Sequence, residues 1–324
     1  MRYTRAMDSV VTSVDQTEQA ESLLRHELAL GDTALAGVAP VLSHLLATTG
    51  QALVSEDLVA RMRGMLSNLA NAILVAEAAA ASADAHPAAK SGELASQLAS
   101  SSVLVSHCYA LAMESQLTEE IEQRCGVDQV LTPLLQELIA SNDESVAELA
   151  MAAMSAQARF VQAQRRMSLP LTELPAELFH EAISCWRNSG GHIEDAQAQD
   201  RVISLLRGGY DEGNSRLGLL TRLAGAIGQG LRATLDLEHA GFALFVTGLA
   251  RASKQPRELA ILSCHERQAT RLALALRAAG LKPEEVRKQF LLIQSELALP
   301  EGADSVSQQV AADLLTGTNS GRAR

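Results

Sequence analysis

Ser55-Glu56-Asp57-Leu58-Val59-Ala60-Arg61-Met62-Arg63-Gly64-Met65-Leu66-Ser67-Asn68-Leu69-Ala70-Asn71-Ala72-Ile73-Leu74 carries a plain helical pattern. Leu58, Met62, Met65, Leu66, Leu69, Ile73 and Leu74 recur every three or four residues and line one face of a helix. Glu56 and Asp57 after Ser55 place negative charge on the first turn, where the helix dipole favours it. An alanine-rich tail runs on to about Ala83 and lets neighbouring helices approach on more than one side. The pattern predicts one long amphipathic helix, and the rest of the chain repeats its grammar.

Upstream, Leu23, Leu24 and Leu28 mark a helix over residues 14–30, with Gly31 as its expected stop. Asp32 is placed to cap a second helix carrying Leu35, Val38, Leu42, Leu45 and Leu46, with a kink or break expected at Pro40 and an end at Gly50. Downstream, residues 84–92 (Asp-Ala-His-Pro-Ala-Ala-Lys-Ser-Gly) read as the best linker in the chain. Glu93 to Ser115 is helical through Leu94, Leu98, Val105, Cys108 and Leu111, and Thr118 opens a short helix stopping at Gly126. Thr132-Pro133 has the form of an N-cap followed by proline at the first helical position. Ser141 and Glu144 have capping-box spacing before a helix reaching about Met167. Pro175 begins a helix to Trp186 after a break at residues 168–175, and residues 188–192 form a loop. Helices are then expected over Ile193–Arg207, Asp211–Ile227, Asp236–Ser253, Pro256–Ala279, Pro283–Gln294 and Ser305–Leu315. No segment alternates with period two between hairpin turns, so no sheet is expected. The prediction is an all-α protein of about a dozen mostly antiparallel helices, as two packed bundles or an α-solenoid. Its regions read as an acidic N-terminal part (13–188), a C-terminal part with a basic face (193–316) and a frayed tail (317–324). Arg159, Ala163 and Arg165 are echoed by Arg271, Ala275 and Arg277, each set followed by Pro-x-Glu-aliphatic, a weak hint of duplication.

Composition agrees. Hydrophobic residues are 47% of 324 and charged residues 20%, enough for a core and too ordered a mixture for wholesale disorder. Ala and Leu are roughly a third of the chain, as in closely packed helices, while aromatics are 3%. The net charge of −11 argues against a nucleic-acid partner. The charge is uneven: residues 1–150 hold 7 basic and 20 acidic side chains. No apolar core follows the charged residues Met1–Asp8, so no secretory signal is expected, and no apolar run is long enough for a membrane span. Cys108, Cys125, Cys185 and Cys264 lie far apart without a CxxC, and read as reduced thiols of a cytosolic protein.

Five patterns invite a chemical reading. Glu177 and His180 have the Glu-x-x-His spacing of a di-iron bundle, which puts two ligands on one helix face, but the motif needs a second copy and two more Glu residues. Three His-Glu pairs lack the second His of a zincin helix, since Leu30, Ser184 and Ala269 stand there. Gly228-Gln229-Gly230-Leu231-Arg232-Ala233 spells G-x-G-x-x-A after a predicted helix, where dinucleotide binding requires a strand. The loop Arg207-Gly208-Gly209-Tyr210-Asp211-Glu212-Gly213-Asn214-Ser215-Arg216 is the densest polar cluster, with Arg207, Tyr210, Asp211, Glu212, Asn214 and Arg216 as candidate functional residues; its plainer reading is a helix connection capped by Asp211 or Asn214. Arg251, Lys254, Arg257, Arg267 and Arg271 form a candidate basic face.

Ser263-Cys264-His265-Glu266-Arg267 resembles, over five residues, the phosphoacceptor box of histidine-kinase dimerisation helices. The resemblance implies a phosphoacceptor His265 on a helix. It departs from the box in Cys264 between Ser and His, in the early Arg267 and in Ala269 four positions after His265. The preferred reading is a non-enzymatic scaffold or regulator acting through helix-mediated protein contacts, with no cofactor, no nucleic acid, and an unidentified protein partner or a second copy of the chain. The alternatives are a phosphotransfer or other enzymatic module using His265 or the 207–216 loop, and a metal-binding bundle around Glu177 and His180.

Overall fold

A computed structural model describes residues 3–47, 56–81, 88–189 and 196–319. Fourteen α-helices lie within them: α1 Tyr3–Ala47, α2 Glu56–Ala81, α3 Ala88–Ser100, α4 Ser102–Cys125, α5 Pro133–Ile139, α6 Glu144–Arg165, α7 Ala176–Asn188, α8 Ala196–Gly208, α9 Arg216–Ala226, α10 Leu237–Ser253, α11 Arg257–Ser263, α12 Ala269–Ala278, α13 Pro283–Ile293 and α14 Gln308–Asn319. Four short 3-10 turns join them, and no strand occurs among the described residues. The protein is all-α. No helix among the described residues is long and apolar enough to cross a membrane.

The chain forms two compact units, each discontinuous in sequence. The first comprises Met1–Ala36, Glu120–Val127 and Gln229–Arg324, the second Gly37–Glu119 and Asp128–Gly228.

In the second unit α2 is the central element, packed against α3, α7 and α8. All seven of its predicted stripe residues, Leu58 to Leu74, are buried, each worth about 1.5–3 kcal/mol of transfer free energy. Its other specialised positions receive a turn. A side chain at Gly64 would come within 2.5 Å of the Met167 carbonyl oxygen, so only glycine lets that turn close on the helix. Asn68 Oδ1 accepts the Leu169 amide at 3.1 Å one turn later. The single tryptophan, Trp186 of α7, donates Nε1–H to buried Glu77 of α2 at 2.7 Å.

In the first unit α10 runs through the interior, and every residue from Ala240 to Ala250 is buried. A helix apolar on all sides requires partners all round, and α11 and α12 supply two of them, with α13 and α14 packed in turn on α12. Gly241 breaks the helical path with φ 72°, ψ 162°. Gly248 sits where any side chain would collide with Thr234, 1.8 Å from its Oγ1.

Several predicted boundaries move. Gly31 and Asp32 do not separate two helices: α1 runs through both, and through Pro40. Gly31 is small because the Gln268 side chain lies against it. Glu93–Ser115 divides at Ser101 into α3 and α4, and α4 continues past Thr118 to Cys125, ending as expected before Gly126 (φ 69°). Thr132 caps α5 through Leu135 N–H, with Pro133 at the first position as predicted. The cap of α6 is Asp143, which accepts from Ser145 and Val146; Ser141 instead accepts the Asp143 amide. The expected helix Pro256–Ala279 is broken at Cys264 and His265. Residues 88–92 of the expected linker belong to α3; residues 82–87, 190–195 and 320–324, and the expected stop at Gly50, lie outside the described residues.

Candidate functional site

The 207–216 loop folds back on its own scaffold. Tyr210 stacks on Phe179 of α7, with ring centroids 4.1 Å apart at 17°, and donates its hydroxyl to the Leu174 carbonyl at 2.9 Å. Desolvation, reinforced by the carboxylates of Glu212 and Asp211, pushes the Tyr210 phenol up to about 12. Asp211 caps the turn Glu212–Asn214, accepting from Gly213 N–H (2.9 Å) and from the Asn214 amide (2.7 Å). Glu212 accepts the Ala176 amide at 3.2 Å, which puts a carboxylate on the N-terminus of α7. The Glu212 carbonyl lies 2.1 Å from where a side chain on Gly218 would begin, so the loop closes only over glycine. Arg207 is exposed.

Arg216, read as the end of this loop, is an interior residue. It is 1% exposed, as is Glu114 of α4. Nη1 and Nη2 of Arg216 each meet one oxygen of the Glu114 carboxylate at 2.8 Å, and Nη1 also donates to Gln157 Oε1 of α6 at 3.0 Å. The guanidinium carbon lies 3.6 Å from the Phe160 ring centroid, and the Arg216 backbone amide donates to Glu173 at 2.7 Å. A planar fork, a matching carboxylate and an aromatic face satisfy a charge that would be costly to bury alone. Glu114 and Gln157 carry no local signal of this role; only the fold brings them to Arg216.

The basic face separates. Arg251, Lys254 and Arg267 are exposed. Arg257 is half-buried and donates to Thr247 Oγ1 at 3.0 Å. Arg271 does not lie on the surface: it is 1% exposed, donates to Gln255 Oε1 at 3.2 Å, and pairs with Asp32 of α1. It also does not share a helix with Arg267, because α12 starts at Ala269. Next to this pair, Gln268 donates Nε2–H to the Gly31 carbonyl at 2.8 Å, and a side chain on Gly31 would begin 2.7 Å from Gln268 Oε1. Thr270 donates to Glu27 at 2.5 Å. Glu27, Gly31 and Asp32 therefore dock α1 on the start of α12. A shallow groove of about 350 Å³ beside them is lined by Leu30, Ala34 and Arg267.

His265 stands in the break between α11 and α12, not on a helix. Its Nδ1 accepts the Arg267 amide at 3.2 Å and caps the turn Glu266–Gln268. The Cys264 beside it is buried, which pushes its thiol up to about 12. The helical frame implied by the phosphoacceptor resemblance is absent at this position. Glu177 and His180 are exposed on α7, where His180 meets the Phe179 ring edge-on at 5.8 Å. No group of three or more His, Cys, Asp or Glu side chains able to hold a metal occurs among the described residues. Gly228–Leu235 is a 3-10 turn following α9, so no strand precedes the glycines.

A surface feature that sequence reading passed over lies on α1. Leu23 and Leu30 are 38% and 57% exposed. A step of 7 residues returns a helix to within about 20° of the same direction, so the two share one face. Leucines at this spacing read equally well as a buried stripe.

Compared with family models, with curated proteins and with solved structures, the chain matches none.

Proposed function

We propose that this chain is a non-enzymatic helical protein that works by contact with another protein, and that the exposed aliphatic face of α1 is its contact surface. The observation that carries the reading is the alignment of Leu23 and Leu30 along one face of α1, each more than a third exposed. Aliphatic side chains so aligned lose water-exposed area when a second helix lies along them. The polar residues support the same reading, because Arg216, Arg271, Tyr210 and Asp211 are engaged in holding helices and turns together. Free Cys108, Cys125, Cys185 and Cys264 fit a reducing compartment.

The test is site-specific photocross-linking in the expressing cell. A photoreactive residue in place of Leu23 is expected to give a discrete protein adduct, lost when Leu30→Glu is added. The same residue in place of exposed Glu144 on α6 is expected to give none. Absence of adducts from positions 23 and 30 alike overturns the proposal.

A further inference from the structure

We draw no further inference here: the strongest candidate, the groove of about 350 Å³ between α1 and the start of α12 lined by Leu30, Ala34 and Arg267, carries nothing, because its buried acceptor Gln268 Oε1 is shut against Gly31 and nothing in the structure shows what covers the groove.

Discussion

Arg216 and Glu114 are separated by 102 positions in sequence and meet as a two-pronged ion pair, both bonds 2.8 Å long and neither residue more than 1% exposed. Removing one partner strands the other charge in the interior. Arg216→Ala and Glu114→Ala are each expected to cost about 3–5 kcal/mol. Arg216→Met with Glu114→Leu is expected to cost much less than the sum, because no unpaired charge remains. Urea unfolding of the four proteins checks this; additive losses would deny the pair its role.

Three glycines form a graded series. Gly64→Ala drives a side chain against the Met167 backbone, which cannot yield, and is expected to destabilise by about 1–3 kcal/mol. Gly31→Ala meets only the end of the Gln268 side chain and is expected to cost less. Gly37→Ala meets nothing among the described residues and is expected to stabilise the protein by about 0.5–1 kcal/mol. Thermal unfolding orders the three.

Tyr210 carries a pH signature. Its phenol is raised from 10.0 to about 12, first by desolvation and then by Glu212 and Asp211, so the folded protein favours the neutral form. The associated stability is full below pH 10 and declines as pH rises through 12. Absorbance titrations of the wild type and of Tyr210→Phe are expected to differ by one late-ionising phenol.

The thiols are expected to differ in reactivity. Burial raises Cys108 and Cys264 to about 12 and Cys185 to about 11, whereas Cys125 is half-buried. A thiol reagent at pH 8 is therefore expected to modify Cys125 first, and all four only after denaturation. Rapid labelling of Cys264 in the native protein would contradict its burial.

Much of the helical framework was legible because its signals are local. The α2 stripe, the Thr132-Pro133 start and the Gly126 stop each depend on neighbours within one or two turns. Gly31 and Asp32 spoke the same local language of stop and cap, yet serve a contact with Gln268 and Arg271 more than 230 residues away. Spacing cannot distinguish a glycine that ends a helix from one that lets another element touch it. Arg271 was read as surface for the same reason: its acidic partner is remote in sequence. Ser263-Cys264-His265 had no breaker to announce the gap between α11 and α12, where the Gln294 side chain donates to the Cys264 carbonyl left free there.

The interleaving of the two units sets an order for biogenesis. Asp32 leaves the ribosome 239 residues before Arg271, a delay of roughly 10–50 s at ordinary elongation rates. Throughout that interval the leading helix lacks its eventual neighbours, and a transcript cut short before α12 releases it with Leu24 and Leu28 unsheltered.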